Sequence, residues 1–183
     1  MRRLLVVGGL VAVLALAVVA AVVVGGDDRA FVPVTPGTLT VATSEVPAAG
    51  FWAGRDADHV TGGFEADLAA ALADQLGLDR VAVVTRSFEE LVDGSAEGFD
   101  VALAQISITG DRERRLDLSR PYLTTPVAVV GRAGADEVPD LAAARELRWG
   151  VARSTTEADL VEDQLRPDAD PVVYDEVGDA LHG

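Results

Sequence analysis

The chain has 183 residues, of which 30 are acidic and 15 are basic, and its formal net charge at pH 7 is −15. So acidic a composition offers no concentrated basic surface, which argues against a nucleic acid as partner. The chain contains no cysteine, so disulfides, thiolate metal sites and cysteine nucleophiles are excluded. With 49% hydrophobic residues, it is long enough to bury one good core or two small ones.

The amino terminus has the composition of an export segment, because Arg2 and Arg3 precede an apolar, uncharged run from Leu4 to Gly26. A secretory signal usually has an apolar run of about 7–15 residues, and a spanning helix needs about 20. The length favours a retained anchor, and a cleaved signal peptide is the alternative. We assign residues 1–30 to this signal or anchor and residues 31–36 to a linker. The positive-inside rule then predicts an extracytoplasmic location for the rest.

From Gly37 the chain alternates β-branched runs with alanine-rich ones, which is typical of an α/β fold. Phe64, Leu68, Leu72 and Leu76 recur every fourth residue and predict a helix with one apolar stripe. Right-handed crossovers place the predicted strands in one parallel sheet. The predicted elements are a strand over Thr38–Thr43, a long loop over 44–61, a helix over Gly63–Leu76, a strand over Val81–Thr85, a short helix with a Ser87 and Glu90 capping box, and a strand over Phe99–Gln105.

The loop that leaves the last of these strands has the residues of an anion receptor. Ligands of a parallel sheet lie beyond the carboxyl ends of the strands, where this loop carries the hydroxyls of Ser107 and Thr109. Thr109 is also a natural helix N-cap, and Arg112 follows within one turn. A guanidinium grips a carboxylate with two parallel hydrogen bonds, so the loop predicts a carboxylate ligand. The alternative is a solvated, salt-bridged helix face, which suits the neighbouring arginines better.

Three segments carry a resemblance to a known family, namely residues 63–76 (GFEADLAAALADQL), 99–122 (FDVALAQISITGDRERRLDLSRPY) and 149–159 (WGVARSTTEAD). They resemble the bacterial extracellular solute-binding proteins of family 3, which deliver polar amino acids to ABC transporters. The most specific part is a string formed by Ile108, Thr109, Arg112, Asp117, Ser119, Pro121 and Tyr122. The resemblance implies an α/β fold of the periplasmic-binding-protein type II, with two parallel-sheet lobes. It places lobe 1 over residues 37–125 and a partial lobe 2 over residues 126–183.

The elements predicted after Tyr122 belong to the crossing and to this second lobe. They are a strand over Thr125–Gly131, a helix over Asp140–Leu147, a strand over Arg148–Ala152, a helix over Thr156–Leu165, a strand over Pro171–Tyr174 and a helix that begins at Glu176. The resembled family continues further, with a strand whose acidic residue binds the α-ammonium group of the ligand. The resemblance therefore implies that the chain is a fragment or is truncated at its carboxyl end.

The resemblance also implies a ligand site. The arginine that binds the ligand carboxylate in this family falls on Arg112, and further contacts to the same carboxylate fall on Gln105 and Ser107. Aromatic residues in the loop after the first strand hold the ligand side chain in the family. Here the candidates for stacking are Phe51 and Trp52, and core packing is the alternative for both. Contacts from the start of that loop, at residues 44 and 45, remain open.

A second turn closes on the carboxylate from the other lobe in the resembled family. It falls on Ser154, Thr155 and Thr156 in this sequence. Ser154 and Glu157 also have capping-box spacing, which places Thr155 and Thr156 at a helix N-terminus, where anions are favoured. A structural cap without any ligand contact is the alternative.

The export segment and the resemblance together predict the substrate-binding component of an amino-acid ABC transporter. A small amino acid would be captured in the cleft between the lobes by hinge closure and offered to a membrane permease. No cofactor is implied. The two histidines, His59 and His182, lie far apart in the sequence, and no metal ligands or catalytic acid/base pair are expected. The alternatives are a membrane-anchored ligand sensor and an enzyme of the same fold, such as a dehydratase or a lytic transglycosylase module.

Overall fold

The computed structural model describes residues 31–182, so the predicted export segment over residues 4–26 lies outside the described residues. The chain divides into two compact units, Met1–Val32 and Pro33–Gly183, and the fold described below is that of the second. Within residues 31–182, no helix combines the length and the apolar character that crossing a bilayer requires.

The second unit alternates strands and helices, as the sequence predicts. Its strands are β1 (Thr38–Thr43), β2 (Ala53–Gly54), β3 (Val60–Gly62), β4 (Arg80–Thr85), β5 (Val101–Ala102), β6 (Gly150–Ala152) and β7 (Val172–Tyr174). Its helices are α1 (Phe64–Gln75), α2 (Phe88–Asp93), α3 (Leu141–Arg145), α4 (Thr156–Asp159) and α5 (Val177–His182). A 3₁₀ turn over Ala57–His59 joins β2 to β3.

Three parallel strands form the main sheet, which we call the large sheet. Its strand order is β4-β1-β5, and both neighbours of β1 run parallel to it. This confirms the predicted parallel sheet and puts the first strand in the centre. All six residues of β1 are buried, as expected for a central strand covered on both faces. The predicted capping box is also confirmed, because Ser87 Oγ accepts a hydrogen bond from the Glu90 amide at the start of α2.

The strand predicted over Phe99–Gln105 is much shorter in the structure, where β5 comprises only Val101–Ala102. Backbone hydrogen bonds to β1 continue on both sides of β5, from the amides of Asp100 and Leu103. The ladder then stops because Gln105 takes a left-handed conformation, with φ of 50°, which no β-strand contains.

The helix predicted over Gly63–Leu76 is confirmed as α1, but the apolar stripe is not the face that it buries most deeply. Two members of the stripe, Phe64 and Leu76, are 42% and 41% exposed. The buried row is instead Glu65, Ala69 and Ala73, each four residues apart. Alanines let the helix approach the sheet closely, and the neighbouring stripe residues Leu68 and Leu72 are only partly buried against the core. The first residue of this buried row is therefore a glutamate, Glu65.

The second half of the unit contains a parallel pair, β6 and β7, which we call the small sheet. The predicted helix over Thr156–Leu165 is present, but its second half, Leu160–Leu165, is π-helical. The prediction of a strand over Thr125–Gly131 is wrong. In the described chain this segment pairs with no strand, and Val129 and Val130 are 68% and 74% exposed, so no ladder stabilises an extended strand here.

Close packing of α1 on the large sheet predicts that Ala69→Leu is destabilising. Ala69 is fully buried, and a larger side chain must displace the helix or its neighbours, at a cost of about 1–3 kcal/mol. Chemical denaturation of both proteins measures the loss. Ala71→Leu, on the exposed side of the same helix, is the matched control and should change the free energy of unfolding by less than about 0.5 kcal/mol.

Candidate functional site

The loop after β5 begins at a sharp change of direction at Gln105. Its backbone amide donates to Glu65 Oε1 at 2.8 Å, and its side-chain Nε2 donates to Glu65 Oε2 at 3.0 Å. One carboxylate therefore holds both the main chain and the side chain of a residue in the left-handed region. Sequence reasoning found Gln105 through the family resemblance, but it did not find Glu65. The signal in the sequence was weak, because an acidic residue in the first turn of a helix is also favoured by the helix dipole.

Glu65 is fully buried and accepts two further hydrogen bonds. Trp52 Nε1 donates to Oε2 at 2.8 Å, and the Tyr122 hydroxyl donates to Oε1 at 2.5 Å. Burial, and then the hydrogen bond to this carboxylate, raise the pKa of Tyr122 far above its usual range. The phenol is therefore neutral and remains a donor to Glu65 at physiological pH.

Arg112 is the most deeply buried arginine of the described chain, with 7% of its surface exposed. Its Nη1 donates to the Ser107 carbonyl at 2.8 Å, and its Nη2 donates to the Ser154 carbonyl at 2.9 Å. The guanidinium also lies 5.4 Å from the centre of the Phe88 ring, a cation–π distance. Burial lowers the pKa of Arg112, while the nearby Asp159 raises it in part. An arginine remains charged under these conditions.

The helix predicted to begin at Thr109 does not form, because residues 110–116 fold as consecutive turns. Thr109 still makes the contacts of a cap, since its Oγ1 accepts from the Arg112 amide at 3.3 Å and its carbonyl accepts from the Glu113 amide at 2.9 Å. These turns reverse the main chain, so that the Arg112 side chain reaches the Ser107 carbonyl, five residues earlier in the sequence. The structural role of Thr109 is therefore to aim Arg112.

The turn before α4 approaches the same guanidinium from the side of the small sheet. Ser154 takes a left-handed conformation with φ of 60°, so its carbonyl accepts from Arg112. The N-cap of α4 is Thr155, whose Oγ1 accepts from the Ala158 amide at 3.1 Å. The predicted cap at Ser154 is therefore displaced by one residue. The Thr156 hydroxyl lies 3.4 Å from the Ser107 hydroxyl and completes the approach of the two segments.

A cavity of about 1730 Å³ lies between the loops of the two sheets. Six of the seven predicted site residues line it, namely Phe51, Gln105, Ser107, Arg112, Thr155 and Thr156. The exception is Trp52, which is 1% exposed and belongs to the core around Leu39 and Val41. Its indole donates to Glu65 and to the Leu103 carbonyl. Phe51 instead packs edge-on against Phe64, with ring centres 6.3 Å apart.

Six acidic residues also line the cavity, and two of them, Glu45 and Glu176, are partly buried and were not assigned by sequence reasoning. Burial raises the pKa of both above the ordinary value of 4.5, and each is raised further by the negative charge of Asp179. The available signal was their position, because each follows the carboxyl end of a parallel strand, β1 or β7. Within residues 31–182, no cluster of three histidine or acidic side chains is arranged to hold a metal ion.

The fold is similar to several solved binding proteins. An ancestral arginine-binding protein bound to glutamine is 26% identical, with a TM-score of 0.68 over 81% of this chain and 64% of that one. A Streptococcus pneumoniae amino acid ABC transporter substrate-binding protein bound to L-arginine is 29% identical, with a TM-score of 0.66 over 80% and 61%. The ancestral amino acid-binding protein AncCDT-1, a precursor of cyclohexadienyl dehydratase, is 26% identical, with a TM-score of 0.67 over 80% and 65%.

These likenesses and the parallel-sheet architecture define a type II periplasmic-binding-protein fold with two lobes. The sequence profile of the bacterial extracellular solute-binding proteins, family 3, matches residues 39–182, and the chain belongs to this family. It spans less than two thirds of the length of these solved structures. No curated protein sequence matches it.

The displaced helix cap gives a testable difference between two adjacent residues. Thr155→Ala removes the hydroxyl that caps α4 and should lower the free energy of unfolding by about 1 kcal/mol. Ser154→Gly should cause no such loss, because glycine adopts the left-handed conformation of residue 154 without steric cost. Urea denaturation of the two variants measures both effects, and a larger loss for Ser154→Gly would contradict the placement of the cap.

Proposed function

We propose that the protein binds a free amino acid in the cavity between its two lobes, over residues 37–125 and 126–183, with Arg112 as the receptor for the α-carboxylate. The supporting observation is the geometry of Arg112, a buried cation held by backbone carbonyls from both sides of the cavity. A guanidinium carries five N–H donors. Two donate to the carbonyls of Ser107 and Ser154, which leaves three for a ligand and fixes the plane of the group.

The hydroxyls around Arg112 suit the same ligand group. Ser107 and Thr156 present theirs from opposite sides of the cavity, 3.4 Å apart. The Ser107 hydroxyl is able to donate to a carboxylate oxygen, whereas Thr156 Oγ1 donates to Glu157 Oε2 at 3.2 Å. Thr155 uses its own hydroxyl to cap α4 and to donate to the Ala152 carbonyl, so its contribution is the free amide groups of the helix start. A carboxylate placed here would contact both lobes, which favours hinge closure around the ligand.

Two partly buried carboxylates of the cavity favour a ligand with a cationic side chain. Glu45 and Glu176 line the cavity with raised pKa values, and a bound cation would relieve the repulsion that Glu176 experiences from Glu45 and Asp179. Phe51 supplies an aromatic surface on the same cavity, suited to a guanidinium or ammonium group. Solved relatives bound to arginine support this choice.

The cellular role that follows is delivery of the bound amino acid to an ABC permease from the extracytoplasmic side of the membrane. Family membership supports this role. We propose binding and not catalysis, because the hydrogen-bond donors gathered around Arg112 are hydroxyls, amides and a permanent cation, which hold a carboxylate without exchanging protons with it. The relation of one solved neighbour to a dehydratase makes an enzyme the second candidate.

Arg112→Ala should abolish measurable binding of the best amino-acid ligand. Removing one partner of a buried, hydrogen-bonded charge pair costs about 2–5 kcal/mol, which is more than about thirtyfold in Kd. Isothermal titration calorimetry against a panel of L-amino acids provides the measurement. Arg114→Ala is the matched control, because Arg114 is exposed and donates to the Gly110 carbonyl and to Asp111. Equal affinities of the Arg112→Ala and wild-type proteins would contradict the assignment of Arg112 as the carboxylate receptor.

Affinity for a cationic amino acid should fall as the pH is lowered. Because the pKa values of Glu45 and Glu176 are raised above 4.5, both carboxyls take up protons at a higher pH than ordinary glutamates do. Neutral carboxyls no longer attract a cation, so Kd for L-arginine should rise about three- to tenfold between pH 7 and pH 5. The same protonation removes first the cost of burying two charges and then the repulsion by neighbouring carboxylates. The stability that these groups give the free protein is therefore greater at low pH and declines as the pH rises through their pKa values.

Titrations of L-arginine and L-glutamine at both pH values make the comparison. L-glutamine, which has the same carboxylate but no side-chain charge, should show the smaller change. The double variant Glu45→Gln, Glu176→Gln should flatten the pH dependence for L-arginine. An L-arginine affinity that is the same at pH 5 and pH 7 would contradict the cationic preference.

A further inference from the structure

Glu65 is a buried acidic residue that does not line the cavity proposed to bind the amino acid. It is fully buried, and it lies on α1 behind the loop that carries Gln105 and Ser107. Its four hydrogen-bond donors within the described chain are all neutral, from Trp52, Tyr122 and both the amide and the side chain of Gln105. A carboxylate buried among neutral donors is costly to retain in a core unless its bonds are needed.

The most unusual of its partners is Gln105. A residue with a Cβ atom avoids the left-handed region, yet Gln105 has a φ of 50°. Two hydrogen bonds to one carboxylate oppose this preference, because both the amide and the side chain of Gln105 donate to Glu65 in the observed conformation. Glu65 therefore stabilises the direction in which the chain leaves β5.

That direction sets the position of the ligand receptor. Two residues after Gln105, the Ser107 carbonyl accepts from Arg112 Nη1 at 2.8 Å, and the Ser107 hydroxyl faces Thr156. If the turn at Gln105 relaxed to an extended or right-handed conformation, the Ser107 carbonyl would rotate away from the guanidinium. Arg112 would then keep only the Ser154 carbonyl as its backbone acceptor.

We propose that Glu65 is a positioning residue of the amino-acid site: through Gln105 it holds the Ser107 carbonyl on Arg112 and so orients the carboxylate receptor. This inference rests on the proposed function. It assigns to a residue of the core, which does not line the cavity, a measurable share of ligand affinity. Tyr122, ten residues after Arg112, contributes to the same positioning. Its hydroxyl donates to Glu65 Oε1, the oxygen that also accepts from the Gln105 amide.

The test compares Glu65→Gln with Asp67→Asn by calorimetric titration of the full chain with L-arginine and L-glutamine. An amide at position 65 has one acceptor oxygen and two N–H donors, so it cannot accept from all four neighbours. Kd should rise about ten- to a hundredfold. Asp67→Asn removes the same charge from an exposed position two residues along the helix and should leave Kd within about twofold.

A purely structural role is separated by a destabilised control. Leu78→Ala removes a partly buried side chain between α1 and β4, at the end of the large sheet opposite to these loops, and lowers stability by weakening the core packing. Measured well below both unfolding temperatures, Leu78→Ala should keep the wild-type Kd while Glu65→Gln does not. If the wild-type protein binds an amino acid and Glu65→Gln binds it with the same Kd, the positioning role alone is overturned. A wild-type protein that binds no amino acid overturns the proposed function as well.

Amide hydrogen exchange keeps the proposal falsifiable if Glu65→Gln does not fold. In the wild-type protein, the Gln105 amide should exchange at least about a hundredfold more slowly than an exposed loop amide, because it donates to a buried carboxylate. Exchange of the Gln105 amide at the rate of an unprotected loop would show that Glu65 does not hold this turn, and would overturn the inference without any variant.

Discussion

The geometry of the loops above the large sheet depends on one carboxylate, that of Glu65. Burial of an ionised group costs several kcal/mol unless its oxygens are satisfied, and here four donors satisfy them. Those donors come from three places in the chain, 13, 40 and 57 residues away from Glu65. Glu65 therefore joins three segments at one point: the loop before β2, the loop after β5 and the segment that follows the turns around Arg112. Each of them limits the positions that the others can take.

Arg112 joins the two lobes in a comparable way, with backbone carbonyls in place of a carboxylate. One carbonyl belongs to Ser107, on the large-sheet side, and the other to Ser154, on the small-sheet side. Both acceptors follow from unusual backbone conformations, since Gln105 and Ser154 are left-handed. Strained conformations of this kind persist only where surrounding contacts determine them, and they concentrate at binding sites. The two left-handed residues flank the only buried arginine of the described chain.

The surface of the protein is acidic, and the cavity shares this character on one side. Its carboxylates Glu45 and Glu176 line the same cavity as the Arg112 guanidinium. A ligand that carries both a carboxylate and a cation matches the two signs of charge in this lining. The same arrangement explains why net charge alone could not indicate the ligand, since most acidic side chains of residues 31–182 are exposed and only six of them line the cavity.

The sequence by itself determined the order and type of most elements, because periodicity and capping are local signals. The strand over Thr38–Thr43 and the capped helix after Ser87 are seen in the structure with the predicted bounds or close to them. It also indicated Arg112, through a dense string of residues that resembles one family, and the structure places Arg112 on the cavity. Local signals failed where a distant contact decides the conformation, as at Gln105, at Ser154 and along the unpaired segment over Thr125–Gly131.

Only the tertiary structure decided which face of α1 is buried and what Glu65 does there. Periodicity pointed to the row of Phe64, Leu68, Leu72 and Leu76, whereas the helix turns the row of Glu65, Ala69 and Ala73 toward the sheet. Small side chains allow the closer approach, and a glutamate is tolerated at the end of that row because donors from remote parts of the chain meet it. Hydrogen bonds between residues so distant in sequence leave no periodic signal, so no local reading of the chain would have found them.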